Sequence, residues 1–184
     1  MERLLLALVD RPNGAANEGI IMTMRITSPA FDNQKSIPSR FTCEGDDVSP
    51  PLSWTGVPER AQTLALIVED PDAPDPAAPK RIFTHWLIYN LPPDSAGLPE
   101  QVGLEQLPSG ARAGRNDFER REWGGPCPPI GEHRYFFKLY ALDAPLPTAR
   151  ELDRAALYDA IEGHAVEYAE WMGTYQKQKR SGKR

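Results

Sequence analysis

Three short apolar runs, separated by turn residues, dominate the middle of the chain. They cover residues 64–68, 85–89 and 134–142, and each is followed by a turn rich in aspartate, asparagine or proline. Short runs that contain β-branched and aromatic side chains are typical of buried strands rather than helices. Three central strands joined by long proline- and glycine-rich connections predict a mainly β chain, a β-sandwich, and not an alternating βαβ fold.

The C-terminal part of the chain has a helical spacing instead. Thr148 and Glu151 are placed as in a capping box, in which each side chain accepts a hydrogen bond from a free amide at a helix start. Apolar residues then recur at helical intervals over 152–161. We expect Gly163 to end or bend this helix, and a second helix to run from about 164 to 172.

Length and composition are those of one globular domain. The chain has 184 residues, of which 26% are charged and 40% are hydrophobic. Its 19 prolines indicate many ordered turns, because proline is excluded from helix interiors and central strands. We predict an irregular N-terminal extension at 1–23, a folded domain at 24–175 and a basic, disordered tail at 176–184.

The charge distribution bears on the choice of partners. Five of the 21 basic residues lie in the last eight positions, which leaves 16 against 26 acidic residues, or a net charge of about −10, for residues 1–176. An acidic domain does not attract the phosphate backbone of nucleic acid, so we expect no nucleic-acid partner.

No stretch reaches the ~20 apolar residues of a transmembrane helix, and the apolar run at 4–9 is shorter than that of a signal peptide. We therefore expect a cytoplasmic protein without a transmembrane segment.

Candidate chemistry lies at the ends of the predicted strands. Asp70 and Asp72 follow the first run directly, while His85 and His133 open the second and third. The segment 123–135 is rich in glycine and proline, which is typical of a shaped loop that forms the wall of a site. Each feature also has a structural interpretation: aspartates cap turn amides, strand-end histidines pack in cores, and such a loop serves as a tight connection.

Several motifs along the chain occur together in one known family. They are Ser28-Pro29-Ala30-Phe31, the stretch 42–54, Asp70-Pro71-Asp72-Ala73-Pro74, His85-Trp86, Gly125-Pro126-Cys127-Pro128-Pro129 and His133-Arg134-Tyr135. In this order, over residues 24–175, the chain resembles the bacterial branch of the phosphatidylethanolamine-binding protein family, the Raf-kinase-inhibitor-like proteins. Agreement of several independent motifs is a stronger signal than any single short one.

The resemblance implies a Greek-key β-sandwich with C-terminal helices and, at one end, a pocket for phosphate or the head group of phosphatidylethanolamine. It also implies the residues that bind this ligand. Asp70 and Asp72 match the acidic pair, His85 and His133 match the two histidines, Tyr135 matches the tyrosine, and Pro126 and Pro128 belong to the proline-bearing wall. No cofactor is implied. The kinase inhibition known from animal members does not transfer, because a fold and a pocket do not determine a partner.

The implied residues suit a zwitterionic ligand such as phosphoethanolamine. Histidine N–H groups and a tyrosine hydroxyl donate to phosphate oxygens, and an aspartate either orients a histidine or receives an ammonium group. If both His85 and His133 donate, head-group binding should weaken as pH rises from about 5.5 to 8, because a protonated imidazole donates twice and carries charge. Such a pocket binds its ligand without a catalytic step.

Other functions stay open at this point. A metal-dependent enzyme could use His85, His133 and Asp70 for zinc or non-haem iron, and a cysteine hydrolase would need Cys43 or Cys127 as its nucleophile. A third alternative is an inhibitor that acts on a kinase or protease through its surface, with an unidentified protein partner. The sequence also leaves a homodimer open. A cytoplasmic setting favours free thiols at both cysteines.

Overall fold

The computed structural model describes residues 23–178, and within this range the chain forms nine β-strands and one α-helix. The strands are β1 (Arg25–Thr27), β2 (Lys35–Ser36), β3 (Leu52–Thr55), β4 (Thr63–Asp70), β5 (Phe83–Leu91), β6 (Gly97–Leu98), β7 (Arg112–Ala113), β8 (Glu132–Leu142) and β9 (Ala165–Gln176). The helix is α1 (Arg154–Ile161), and two short 3-10 turns lie at Ser39–Phe41 and Leu104–Gln106. The three apolar runs of the sequence lie within β4, β5 and β8, as predicted.

The strands form two sheets. A three-stranded sheet has the order β1-β3-β6, and a six-stranded sheet has the order β2-β9-β8-β4-β5-β7. All pairings in both sheets are antiparallel except that of β2 with β9. Strand β4 lies between β8 and β5, and all eight of its residues are buried. This central position explains its unbroken apolar sequence, since both of its faces are covered.

The two sheets pack face to face around a shared core, which confirms the predicted β-sandwich. Both sheets supply large buried side chains to it, including Ile26, Trp54, Leu66, Ile88 and Phe137. Full burial of a side chain of this size stabilises the fold by about 1.5–3 kcal/mol. The outer face of the larger sheet is covered by α1, where Leu157 and Ile161 pack against Ile67 and Leu87. Residues 23–178 therefore form three layers: a small sheet, a large sheet and a helix.

The second C-terminal helix expected at 164–172 is wrong, because this segment is part of β9. The strand pairs with β8 over its full length, from Glu132 opposite Gln176 to Leu142 opposite Ala165. Its sequence is rich in valine, tyrosine, tryptophan and threonine, which suit a pleated surface. The long pairing with β8 satisfies its backbone groups in the sheet, and this tertiary contact overrides the weak helical spacing.

The capping box is also wrong. The helix begins later than expected, and Asp153 is its N-cap residue, with a side-chain oxygen that accepts the amide of Ala156 at 2.9 Å. Asp, like Thr, is a preferred N-cap residue, so the sequence contained two competing start signals. Gly163 lies beyond the helix with a φ of 82°, a left-handed backbone conformation that favours glycine.

The expectation of free thiols is wrong as well. Cys43 and Cys127 form a disulfide, with their Cα atoms 5.4 Å apart. The bond joins the loop after β2 to the glycine- and proline-rich loop before β8, and the Cys43 amide also donates to the carbonyl oxygen of Pro126 at 3.1 Å. Neither cysteine is available as a nucleophile in this state, which removes the basis of the cysteine hydrolase alternative.

Two predicted segments lie outside the described residues. These are the N-terminal extension, apart from position 23, and residues 179–184 of the basic tail. Between residues 23 and 178, no helix has both the length and the apolar character needed to cross a membrane.

Candidate functional site

A β-bulge places His85 at one end of the sandwich. Val68 of β4 pairs with Trp86 of β5, but the next residue, Glu69, pairs with Thr84, so His85 is an extra residue in β5. A bulge re-aims side chains by changing the local twist, and bulges are common beside functional sites. His85 lies next to Tyr135 of β8, with their ring centroids 5.1 Å apart.

Asp70 and His133 form a buried pair at the same end. The Nδ1 of His133 lies 2.7 Å from Oδ2 of Asp70, and its Nε2 lies 2.9 Å from the carbonyl oxygen of Ile130. A carbonyl oxygen only accepts, so Nε2 carries a hydrogen, and a further proton lies between Nδ1 and Asp70. Burial raises the pKa of Asp70, while the hydrogen bond from His133 opposes this rise. Wherever the shared proton resides, the pair as a whole has no net charge.

Asp72 is bound by Arg134 rather than free. Its Oδ2 accepts the backbone amide and Nε of Arg134, both at 2.9 Å, and its Oδ1 accepts Nη2 at 2.8 Å. The hydrogen bond from Arg134 holds the pKa of Asp72 below its ordinary value, although burial opposes the shift. The Asp72 amide in turn donates to Oδ1 of Asp70 at 2.7 Å. Both carboxylates thus have partners in the protein, which leaves Asp72 poorly placed to receive a ligand ammonium.

Tyr135 has a buried hydroxyl without a partner among the described residues. Its ring lies between the two histidines, 5.1 Å from the centroid of His85 and 6.5 Å from that of His133. The side chain is completely buried, and Oη makes no hydrogen bond within residues 23–178. Burial raises the pKa of Tyr135, so the hydroxyl keeps its proton. Buried polar groups are nearly always paired, so a hydroxyl left free at this position is an indication of function.

The loop before β8 holds His85 through a backbone carbonyl. The oxygen of Gly124 lies 2.6 Å from Nδ1 of His85. The next amide, that of Gly125, donates to Oδ1 of Asp47 at 2.7 Å. A Cβ at Gly125 would lie 2.4 Å from that same oxygen, so only glycine permits this close approach. The disulfide at Cys127 anchors the loop further along.

Pro126 and Pro128 are buried within this loop. The loop touches His85 through Gly124, and the observed hydrogen bond of Pro126 is the one that its carbonyl accepts from Cys43. The predicted loop therefore lies against His85, and the group in it that contacts the His85 ring is the carbonyl of Gly124. A contact made by a backbone carbonyl cannot be recognised from the residue types of the loop.

Asn116 supports the site, although no sequence motif pointed to it. Its Nδ2 donates to the backbone oxygens of His85 and Glu122, at 2.9 and 2.8 Å, and its Oδ1 accepts the amides of Phe118 and Arg120. These four bonds fold the segment after β7 against β5. Asn116 is buried, and a buried asparagine with four partners in a loop organises backbone rather than binding solvent.

Aromatic and apolar side chains surround His85. Phe118 lies 5.5 Å from the His85 ring and 4.9 Å from Phe83, measured between centroids. Large hydrophobic side chains that are exposed in the described part of the chain are Ile82, Phe118 and Ile130. All three adjoin this end of the sandwich, since Ile82 precedes Phe83 and the carbonyl of Ile130 binds His133. The site thus has an apolar rim.

Burial also determines the charge of His85. Desolvation lowers the pKa of His85 to about 4, with the Gly124 hydrogen bond acting in the opposite direction. At neutral pH the ring is therefore uncharged. Since Nδ1 carries the hydrogen towards Gly124, Nε2 bears a lone pair. The expectation that both histidines donate to an anion is wrong, because His133 uses both nitrogens within the protein and His85 offers an acceptor.

A second polar cluster lies on the opposite face of the large sheet. The buried carboxylate of Glu69 accepts hydrogen bonds from Lys138 at 2.6 Å, Arg154 at 2.8 Å and Tyr158 at 3.1 Å. Burial favours the neutral form, but the hydrogen bonds from Lys138 and Arg154 hold the pKa of Glu69 below its ordinary value. Both carboxylate oxygens of Glu69 accept hydrogen bonds from these side chains. The cluster therefore joins α1 to the sheet, and its carboxylate is not available to a ligand.

The metal-dependent alternative lacks a suitable donor arrangement. Within residues 23–178, no three His, Cys, Asp or Glu side chains are arranged so that they could hold a metal ion. Of the proposed ligands, His133 has no free lone pair, since one nitrogen faces Asp70 and the other faces Ile130.

A wide groove lies away from the predicted site residues. Its volume is about 730 Å³, and Asp47, Glu100, Glu105, Glu122 and Trp123 are among its lining residues. Glu100 pairs with Arg40, and Asp47 with Arg120. None of the seven predicted site residues lines this groove. The cluster of Asp70, His85, His133 and Tyr135 is therefore separate from this groove and more deeply buried.

Comparison with known proteins gives consistent results. The family model described as phosphatidylethanolamine-binding protein matches residues 27–176. A UPF0098 protein of Methanothermobacter thermautotrophicus is 46% identical over 155 residues, which cover 84% of this chain and 99% of the relative. A crystal structure of a phosphatidylethanolamine-binding protein homolog from Chlamydia trachomatis has a TM-score of 0.78 at 39% identity, and covers 85% of this chain and 99% of that one. E. coli YbcL, described as a new member of the mammalian family, has a TM-score of 0.75 at 32% identity, with coverage of 84% and 99%.

Proposed function

Because the chain belongs to the phosphatidylethanolamine-binding protein family, we propose that it is a binding protein whose site accepts phosphate or a phosphorylated head group such as phosphoethanolamine. The observation that carries this proposal is the Tyr135 hydroxyl, which is buried and unpaired beside His85 in the described part of the chain. A buried hydroxyl without a partner destabilises the fold by roughly 1–3 kcal/mol. A phosphate oxygen that accepts its hydrogen would remove this penalty.

The predicted site residues have different roles in this proposal. Tyr135 and His85 contact the ligand, and the Asp70–His133 pair packs beside Tyr135 and positions it. Asp72, Pro126 and Pro128 act indirectly: Asp72 fixes the start of β8 through Arg134, and the two prolines shape the loop that carries Gly124.

The electrostatics are compatible with an anion despite the acidic sequence. Asp70 shares a proton with His133, and Asp72 is bound by the guanidinium of Arg134. Neither carboxylate therefore presents an uncompensated negative charge to a phosphate. These partners reduce the electrostatic repulsion that the two aspartates would otherwise exert on a bound anion.

The proposal is tested by calorimetric titration with inorganic phosphate and with O-phosphoethanolamine. Loss of one hydrogen bond to a charged group is worth about 1.5–3 kcal/mol, so Tyr135→Phe should weaken binding at least tenfold. The matched control is Tyr158→Phe, whose hydroxyl binds Glu69 on the opposite face of the sheet, and it should bind like the original protein. Absence of binding to the original protein, or equal binding by Tyr135→Phe, would contradict the proposal.

The disulfide bears on where this site operates. The sequence favours the cytoplasm, whereas disulfides persist mainly in oxidising compartments, apart from the intracellular proteins of hyperthermophiles. We infer that the site works with the Cys43–Cys127 bond closed, since the bond anchors the loop that holds His85. Alkylation of cell lysates under trapping conditions tests this. Two alkylated cysteines in the fresh protein would contradict it.

A further inference from the structure

The wide groove of about 730 Å³ combines acidic and apolar lining residues. Four carboxylates line it, and no lysine or arginine of the described part of the chain does. A lining of this kind suits a segment that contains lysine or arginine, because these side chains combine a charged head with an apolar stem. The acidic members are Asp47, Glu100, Glu105 and Glu122, and the apolar ones include Val48, Val102 and Trp123.

Two of the four carboxylates have no cationic partner in the described range. Arginines from outside the lining pair with Asp47 and Glu100. Glu105 and Glu122 are exposed, and neither forms an ion pair with another residue between 23 and 178. The groove therefore presents two uncompensated negative charges beside its apolar lining.

The last described residue lies against a loop that forms part of this groove. The backbone amide of Gln178 donates to Oε2 of Glu44 at 3.0 Å, and the hydroxyl of Tyr175 donates to the same oxygen. Glu44 comes three residues before Asp47, so the Cα atoms of these two residues are at most about 11 Å apart. The chain thus leaves β9 close to the acidic edge of the groove.

The sequence that follows Gln178 has the opposite charge to the groove. Residues 179–184 read Lys-Arg-Ser-Gly-Lys-Arg, so four of the six are basic. Six extended residues span up to about 20 Å, which exceeds the separation between Glu44 and Asp47. A short tether also keeps the segment at an effective concentration in the millimolar range, so weak contacts are sufficient to hold it.

We propose that the groove is the docking surface of the chain's own basic segment, residues 179–184, whose lysine and arginine side chains pair with Glu105 and Glu122. The sequence alone favours a disordered tail, whereas the position of Gln178 and the charge of the groove favour a docked one. None of the predicted phosphate-site residues lines the groove, so this inference is independent of the proposed function. The contacts are exposed ion pairs, and salt should weaken them.

Carbodiimide coupling of the full chain tests the contact directly, since this reagent joins an amine to a carboxylate only where the two groups touch. At low salt we expect peptide mapping by mass spectrometry to find Lys179 or Lys183 linked to Glu105 or Glu122. Glu59 and Glu162 are the matched controls, because they are exposed, outside the groove and without ion pairs in the described range. Linkage to these controls in equal yield, or no linkage to the groove, would overturn the inference.

An equal mixture of ¹⁴N- and ¹⁵N-labelled chains shows whether the segment occupies the groove of its own chain. Linked peptides should then carry a single isotope. Peptides that combine both isotopes in a statistical ratio would mean that the segment binds a second copy, which also contradicts the proposal.

A variant provides a second readout that does not depend on coupling. In the double variant Glu105→Gln, Glu122→Gln, loss of two exposed ion pairs should free the segment and raise the rate of trypsin cleavage after Arg180 at least about twofold. The double variant Glu59→Gln, Glu162→Gln should be cleaved at the original rate. Both variants change exposed side chains only, and their melting temperatures confirm that they are folded. Equal cleavage rates in the two folded variants would show that the groove does not hold the segment.

Discussion

Replacement of Tyr135 by phenylalanine should stabilise the protein while it weakens ligand binding. The hydroxyl is completely buried and makes no hydrogen bond in the described part of the chain. Its removal eliminates an unpaired polar group and leaves the ring contacts with His85 and His133 in place. The desolvation penalty of such a group is about 1–3 kcal/mol, and we expect the free energy of unfolding to rise by an amount in this range.

Urea unfolding in phosphate-free buffer measures this change, and a thermal melt should show a rise of about 2–4 °C per kcal/mol for a domain of this size. The same substitution at Tyr158 is the matched control. Its hydroxyl donates to the buried carboxylate of Glu69 at 3.1 Å, so Tyr158→Phe should lower the free energy of unfolding by about 1 kcal/mol. The two Tyr→Phe variants should thus differ in sign. Destabilisation of Tyr135→Phe by about 1 kcal/mol or more would show that its hydroxyl is paired in the free protein, and would refute the reasoning.

Three further predictions concern other parts of the fold. Burial lowers the pKa of His85 to about 4, against about 6.5 in an unfolded chain, so between these pH values the unfolded state binds one more proton than the folded state. The free energy of unfolding should therefore fall by up to about 3 kcal/mol as pH drops from 6.5 to 4. An equal dependence of the free energy of unfolding on pH in His85→Asn would contradict this. Glu69→Gln should lower the free energy of unfolding by about 2–4 kcal/mol, because Lys138 loses its partner in a mostly buried cluster, and a change below about 0.5 kcal/mol in urea unfolding would argue against it. Removal of the disulfide in the double variant Cys43→Ser, Cys127→Ser opens a loop with a sequence separation of 84 and should destabilise the fold by up to about 4–5 kcal/mol in the chain-entropy model; an unchanged melting temperature would contradict a structural role.

The sequence predicted the central strands because their apolar runs coincide with complete burial. Strand β4 is buried along all of its length, and a short, unbroken apolar run bounded by turn residues is typical of such a strand. The prediction that Asp70, His85, His133 and Tyr135 lie close together rests on two signals, their shared placement at the ends of apolar runs and the family resemblance. β9 was mistaken for a helix because its identity depends on pairing with β8, which is a tertiary contact.

The chemistry of the site depends on contacts that no sequence pattern encodes. By residue type His85 is a potential hydrogen-bond donor to a ligand, but the carbonyl of Gly124 fixes its hydrogen on the nitrogen that faces away. His133 has the same potential, yet both of its nitrogens are used within the protein. Backbone carbonyls have no residue type of their own, so the protonation pattern of a histidine cannot be predicted from its neighbours in sequence.

The position of a bound phosphate tests the central claim most directly. Crystals of the protein soaked with O-phosphoethanolamine at pH 6 should show the phosphate within hydrogen-bond distance, about 2.5–3.0 Å, of the Tyr135 hydroxyl. A second phosphate oxygen should lie within hydrogen-bond distance of Nε2 of His85, while the bond from Nδ1 to Gly124 stays intact. A phosphate bound elsewhere on the molecule, with the Tyr135 hydroxyl still unpaired, would contradict the account.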